Sequence, residues 1–348
     1  MPTDIKTPPE IERIKEQLSK VSLPPELRLR VDLMIESLGR SSTQPNFLQE
    51  SETAERYVSW VVSLPWSVRT PDNLDLKRAQ ETLEKNHYGM SKVKDRVLEY
   101  ISVLNLTSGQ ARKESSVLCF TGLPGLGKTS VAASIAESLG RRFIRIPFGG
   151  LGEVSQIRGL PRYLASSEPG QIIKGLRRVG CLNPVILLDE IDRVAETSRG
   201  AIMGALLELL DPEQNSTFSD YFIDYPFSLS EVLFICTANN TRGIANAVLD
   251  RLELIDMPSY TDEEKISIGK NYLFPKVLKV TGLKPEQAII EESLWPKIIR
   301  PLGYDAGIRT LERTIDGICR KVARKVVEGK GTQFILNEEN IKEFLPTW

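Results

Sequence analysis

The chain has 348 residues, too long for one ordinary compact domain and long enough for two or three. Hydrophobic residues make up 41% and charged residues 26%, the balance of a globular protein with a buried core. The 45 Lys and Arg against 46 Asp and Glu leave a net charge of -1, which excludes the overall basic field of a nucleic-acid binder.

Residues 8–66 read as helical. In "EIERIKEQLSKV", Ile11, Ile14, Leu18 and Val21 recur at three- and four-residue steps. "SLPPELRLRVDLMIESLG" opens with a serine and prolines and closes on a glycine, the punctuation of a helix. "SSTQPN" at 41–46 is a polar linker, and "YVSWVVSLPW" at 57–66 is an apolar stripe that reads as a packing face rather than a cofactor box. Residues 1–74 are therefore expected to form a helical arm.

From about 75 to 258 the texture changes to short apolar runs alternating with helical patterns. "SVLCFTG", "RRFIRIPF", "PVILLDEID", "EVLFICTANN" and "ELIDMP" read as strands. Fully apolar strands separated by helices predict an α/β fold with a parallel sheet covered on both faces. "TSVAASIAESLG" is a helix with Val131, Ile135 and Leu139 on one face, Ala132 and Ala136 for close packing, and Gly140 at its end. Residues 259–348 show no strand pattern before "TQFILN" and are expected to form a smaller helical domain.

Cys119, Cys181, Cys236 and Cys319 lie far apart in sequence, without metal-knuckle spacing, and read as small buried hydrophobes. His87 is the one histidine, so a His-rich metal site is excluded. No apolar run approaches about 18 residues and no N-terminal stretch reads as a cleaved signal, so no membrane contact and a cytoplasmic location are expected, or an organellar matrix in a eukaryote.

"GLPGLGKTS" at 122–130 carries the chemistry. It fits G-x-x-x-x-G-K-[ST] and lies between a predicted strand and a predicted helix. Gly122, Leu123, Pro124, Gly125, Leu126, Gly127, Lys128, Thr129 and Ser130 are the expected cradle for a nucleotide. Glycines let backbone N–H groups turn towards phosphate oxygens, and the helix N-terminus adds partial positive charge. Lys128 can reach the β- and γ-phosphates, and Thr129 can hold Mg²⁺.

An acidic pair completes such a site. In "PVILLDEID", Asp189 is placed to complete the Mg²⁺ shell and Glu190 to activate the attacking water. Asp192 fits an ordinary helix cap better. "VLFICTANN" ends at Asn239, a strand-tip polar residue suited to sense the γ-phosphate or align the water. The plain alternatives are a ligand-free Gly-rich turn, a solvated acidic cap and a turn asparagine.

Together these residues resemble an AAA+ ATPase, and more narrowly the ATPase segment of the Lon protease family. "YVSWVVSLPW", "NLDLKRAQETLEKNHYGMSKVKDRVLEYI", "GLPGLGKTS", "NPVILLDEID", "LLELLDPEQNSTF", "VLDRLELIDMPSYTDEEK" and "YDAGIRTLER" follow that family's order and spacing. The resemblance implies a P-loop AAA+ sheet over 75–258, a helical lid over 259–348 and a helical arm over 1–74. It implies that His87 and Tyr88 in "NHYG" line the adenine pocket. Arg251 in "LDRLE" matches the arginine finger that reaches a neighbouring subunit's nucleotide, and Arg309 in "GIRTLER" matches the second sensor. A finger acting across an interface implies a ring, in this family a homohexamer. ATP and Mg²⁺ are the implied cofactors, and unfolded or damaged proteins the implied substrates.

Five departures stand out. Leu123 replaces the family's second loop proline. The pore-loop run "GHRRTY" appears as "GLPRYL" at 159–164, which places Leu164 at the family's tyrosine and Tyr163 one position earlier. Both are expected to form the substrate grip, Tyr163 as the larger contributor. "GEVS" replaces an acidic stretch, and "SRGAIMG" lacks the usual Asp-Pro. The chain ends at "EFLPTW", where the family's proteolytic domain would follow. The expectation is an excised ATPase fragment, with a proteolytic domain in cis in its parent, or a naturally truncated gene.

The expected function is ATP hydrolysis driving unfolding and translocation for a Lon-type protease. A second reading is a non-proteolytic AAA+ remodeller of DNA or protein complexes, touching DNA weakly through the basic run "CRKVARKVVEGKG" at 319–331. A third, a nucleotide-gated scaffold without turnover, is disfavoured by the acidic pair and the two arginines.

Overall fold

The apolar runs of the sequence become the strands of one sheet. In the computed structural model, which describes residues 8–107, 116–164, 166–300, 305 and 307–346, β1 spans Val117–Thr121, β2 Phe143–Pro147 and β3 Val185–Asp189. A short hairpin follows, β4 Phe218–Ser219 with β5 Pro226–Phe227, and then β6 Leu233–Ala238 and β7 Leu252–Asp256. The sheet order is β2-β3-β6-β1-β7. Every residue of β3 and β6 is buried, which requires cover on both faces of the sheet.

Parallel register fixes what stands beside what. Phe143 through Pro147 pair with Val185 through Asp189, and Val185 through Leu188 pair with Leu233 through Cys236. The next step along β3 and β6 brings Asp189 level with Thr237.

Chain contacts divide the protein into two units, each discontinuous in sequence. The first comprises Met1–Leu74, Val103–Cys119 and Ile135–Leu254. Its helices Pro9–Ser19, Pro25–Arg40 and Phe47–Ser63 bury Ile11, Ile14, Leu18, Val31, Val58 and Val61. These side chains belong to the same apolar cluster as Ile144, Ile186, Phe222 and Phe234. The aromatic stripe is a packing face, as its sequence predicts. The Tyr57 hydroxyl donates to Ile223 O at 3.1 Å, Trp60 meets Phe222 edge-on, and Trp66 lies 5.1 Å from Phe227.

The second unit comprises Asp75–Ser102, Phe120–Ser134 and Ile255–Trp348. Asp75 caps helix Leu76–Asn86, and a Thr261–Glu264 capping box starts helix Asp262–Ile268. Helix Phe274–Thr281 stops at Gly282 with φ of +73°. Helix Arg309–Val327 buries Leu311, Ile315, Ile318 and Val322 along one face. The C-terminal region is not free of strands before "TQFILN". β8, Ala288–Ile290, pairs in parallel with β9, Phe334–Leu336. Three residues are too few for alternation to show, and the 218–227 hairpin escaped the sequence for the same reason. Tyr304 and Ala306 of "YDAGIRTLER", and the terminal Thr347 and Trp348, lie outside the described residues.

All four cysteines are free and buried. Among the described residues no helix is long and apolar enough to cross a membrane.

Ile186 is fully buried in the middle of β3. Ile186→Ala is expected to lower unfolding free energy by about 2–5 kcal/mol and Ile186→Val by about 0.5–1.5 kcal/mol. Urea denaturation followed by tryptophan fluorescence reads both, and unchanged midpoints would place the side chain outside the core.

Candidate functional site

The phosphate loop lies in the second unit. Gly122, Gly125 and Gly127 have φ of +139°, +86° and +94°, conformations that favour glycine. A Cβ at Gly122 would sit 2.8 Å from Met257 O, so that position tolerates no side chain. The loop feeds helix Lys128–Leu139 directly. Lys128 is buried, and its ammonium donates to Gly122 O at 2.5 Å and Leu123 O at 2.9 Å. The charge is thus folded onto the loop's own carbonyls. Thr129 is half-buried, and exposed Ser130 donates to Gly127 O at 2.8 Å. Leu126 is buried, whereas Leu123 and Pro124 are exposed. Three turned glycines, an ammonium and a helix N-terminus are the donor set a polyphosphate requires.

His87 is buried, with Nε2 2.9 Å from Ser134 Oγ. Burial first, and the Lys94 ammonium second, pull its pKa from 6.5 down to about 4, against a bond to the Ser130 backbone. A neutral ring results at pH 7, compatible with an uncharged base. Tyr88 is exposed and meets Tyr272 edge-on at 6.4 Å. Tyr260 is buried and donates to Leu126 O at 3.2 Å, which braces the loop from behind. Burial pushes its phenol up to about 12, so it remains a donor.

Arg309 is exposed at the first turn of its helix. Ile308 N–H donates to Gly125 O at 3.1 Å. A Cβ on Gly307 would lie 2.7 Å from Pro124 O, so only a glycine lets the segment before Arg309 approach the phosphate loop this closely. Lys265 is buried and donates to Asp305 O, and Asp305 accepts from Gly307 N at 3.0 Å.

The acidic pair lies in the first unit. Asp189 is buried at the tip of β3. Its Oδ2 accepts from Arg145 at 2.6 Å, and its Oδ1 accepts from the Thr237 hydroxyl at 2.5 Å. Thr237 in turn accepts from Glu190 N–H at 2.9 Å. Glu190 has φ of +57° and ψ of +51°, the left-handed region, which costs a non-glycine residue about 1–3 kcal/mol. That turn swings its carboxylate out of the strand direction. Gly149 leaves room for it, since a Cβ there would lie 2.8 Å from Glu190 Oε2. Asn239 is half-buried just past β6, and Asp192 accepts from Asn240 N at 3.4 Å. Carboxylate and hydroxyl oxygens of the Asp189 and Thr129 kind are hard donors that fit Mg²⁺.

Arg251 is half-exposed and pairs with Asp211 Oδ2 at 2.8 Å within its own chain. The other oxygen of Asp211 caps helix Pro212–Asn215. Tyr163 is 85% exposed and Leu164 40% exposed, so Tyr163 does not pack inward.

Reasoning from sequence missed Thr237, Arg145, Asp211, Tyr260 and Gly307. Thr237 and Arg145 carry a signal, a polar residue interrupting an apolar strand. Tyr260 and Gly307 carry none that separates them from ordinary loop residues.

Residues 118–258 match the family model described as ATPase family associated with various cellular activities (AAA). Residues 279–335 match the Lon protease AAA+ ATPase lid domain. The chain is 45% identical over 336 residues to the Lon protease of Lawsonia intracellularis, covering 97% of this chain and 40% of that protein. It is 42% identical over 345 residues to Lon protease 2 of Thermus thermophilus, covering 97% and 42%. Lon protease 1 of Bacillus subtilis is 42% identical over 336 residues, covering 97% and 43%. The chain thus spans about two fifths of the length of the curated relatives it matches.

The neutral His87 ring makes stability pH-dependent. The unfolded chain protonates near 6.5 and the folded one near 4, so the contribution is complete above pH 6.5 and lost as pH falls from 6.5 to about 4. The expected loss is about 3 kcal/mol. His87→Gln should flatten this limb of a melting-temperature profile, and an unchanged profile would assign the acid sensitivity elsewhere.

Proposed function

We propose, for a chain that belongs to the AAA+ ATPases of the Lon protease family, that ATP hydrolysis drives unfolding and translocation of protein substrates for a Lon-type protease. The observation that carries the hydrolytic part is Glu190, held in a strained turn beside buried Asp189 with Thr237 bonded to both. A structural acidic cap has no use for that strain. In this reading 75–258 is the nucleotide-binding domain, 259–348 the lid and 1–74 the arm, and the site of action is the cytoplasm or an organellar matrix.

Lys128 leaves the Gly122 and Leu123 carbonyls to neutralise the β- and γ-phosphates. The amides of 122–130 bind their oxygens, and neutral His87 with Tyr88 receives the base. Thr129 and Asp189 would hold Mg²⁺, which spreads phosphate charge. Glu190 takes a proton from the attacking water while Asn239 aligns it. Arg309 contacts the γ-phosphate from the lid. Arg251 acts on the nucleotide of the next subunit in a homohexameric ring, leaving Asp211 to do so. Such fingers contribute about 10³–10⁵ in rate in related NTPases. Tyr163, with Leu164, grips an extended polypeptide through a large, nearly rigid ring.

The alternative of a DNA remodeller loses support at the basic lid helix. Arg320 pairs with Asp316, Arg324 and Lys330 with Glu328, and Lys325 with Glu343, which leaves little uncompensated charge for phosphates.

Two experiments test the reading. Lys128→Ala is expected to weaken ATP binding about 10- to 100-fold, since a charged hydrogen-bonding group is lost. Glu190→Gln should retain binding with turnover lowered about 10²- to 10⁴-fold. Calorimetry and phosphate release separate the two, and equal ATP affinity in wild type and Lys128→Ala would sink the assignment. Arg251→Ala should bind ATP, turn over poorly and regain activity when mixed with Glu190→Gln subunits. Failure to regain activity at any mixing ratio would mean that the arginine does not act across an interface.

A further inference from the structure

The turn that carries Tyr163 is built as a bracket, and all its supports lie in the first unit. Its neck is pinched at two glycines. A Cβ on Gly159, whose φ is +75°, would lie 2.8 Å from Glu168 O and 2.9 Å from Gly170 N. A Cβ on Gly170 would lie 1.9 Å from Ile157 O. Leu160 N–H donates to Glu168 O at 3.0 Å across this neck. Buried Asp220 clamps it from behind, accepting from Gly170 N at 2.7 Å with one oxygen and from Phe222 N and Ile223 N with the other.

Two side anchors run from the turn to helix Phe47–Ser63. The Arg162 guanidinium stacks 4.2 Å from the Tyr57 ring centroid and pairs with Asp224 Oδ2 at 3.1 Å. Asp224 is itself held, its carbonyl accepting from Arg30 at 2.9 Å. On the other flank, Arg56 donates to the fully buried Ser167 hydroxyl at 3.4 Å. Tyr57 is fixed in turn through its bond to Ile223 O. Between these anchors Tyr163 stands exposed, one residue from the stacked guanidinium. A turn that only took shape on meeting substrate would need neither a glycine neck nor two cationic anchors.

We propose that Arg162 is a positioning residue: stacked on Tyr57 and paired with Asp224, it ties the turn to the helical arm and holds Tyr163 in its presenting orientation. This rests on the reading of Tyr163 as a polypeptide grip. In this chain the aromatic stands one residue before the position of the family's tyrosine, and Arg162 braces it there. The arm becomes part of the grip, since a shift of helix Phe47–Ser63 moves the Tyr57 ring under Arg162.

The test uses the full chain, ATPγS and fluorescein-labelled β-casein, a natively unfolded protein, with binding read by anisotropy. Arg162→Ala is expected to weaken casein binding about five- to tenfold, the scale of losing a partly desolvated cation–π contact with its ion pair. Basal ATPase rate should stay at the wild-type level. Asp224→Asn, isosteric and tolerant of the left-handed conformation at that position, removes the ion pair alone and should give a smaller loss, and it reads the same link should Arg162→Ala fail to fold. Tyr163→Ala should weaken binding, and adding Arg162→Ala to it should cost nothing more, because Arg162 acts through Tyr163. If Tyr163→Ala binds casein as wild type does, the grip reading fails and takes this inference with it. If Tyr163→Ala weakens binding while Arg162→Ala and Asp224→Asn leave it unchanged, the grip stands and the positioning role is overturned. Losses that add in the double variant overturn it as well, since Arg162 would then touch the polypeptide itself.

Discussion

A carboxylate buried at the end of a strand is the constraint around which the first unit is organised. An unpaired ionised carboxyl out of water costs several kcal/mol, so Asp189 needs its charge met from within the fold. The parallel register does this from both sides. β2 supplies the Arg145 guanidinium and β6 the Thr237 hydroxyl, and each takes one oxygen of Asp189. The same hydroxyl accepts the Glu190 amide and so stabilises the backbone reversal that turns Glu190 aside. One polar atom on an apolar strand thus links a charge-bearing residue to the strained one after it. Fully apolar neighbours on β3 and β6 keep water from loosening the arrangement.

The second unit solves the opposite problem, a buried cation. Lys128 rests on two loop carbonyls, in a loop where Gly122, Gly125 and Gly127 take positive φ. Tyr260 behind the loop and Gly307 beside it confine the turn to one shape. Nearby, a second cation, Lys94, helps keep His87 neutral.

The arm shares its apolar cluster with the sheet, so its helices are part of the same packed body as the acidic strand tip within the first unit. Tyr57 shows the economy of this packing. Its ring is buried, its hydroxyl bonds the 220–224 strap, and its face receives Arg162. Packing, hydrogen bonding and cation–π contact converge on one side chain, which is why the turn above it can be short and still hold its shape.

The features legible in the amino-acid sequence are those whose physics is local. Glycines at 122, 125 and 127 followed by Lys128 and Thr129 describe a phosphate loop, because positive φ and a helix N-terminus are satisfied within nine residues. Four apolar residues before Asp189 describe a buried strand tip, and Glu190 after it an acidic pair. The five main strands and the arm helices follow from runs and periods long enough to register. Tertiary structure decided everything that needed partners distant in the chain. Arg145 and Thr237 reach Asp189 across strand pairings separated by more than forty residues in sequence. Arg251 meets Asp211, and Arg162 meets Tyr57, through loops whose paths no period encodes. β8 and β9 are three residues each and exist only because they pair. Local pattern sets which backbone shapes are affordable, whereas a charge or a short strand is stable only once the fold delivers its partner.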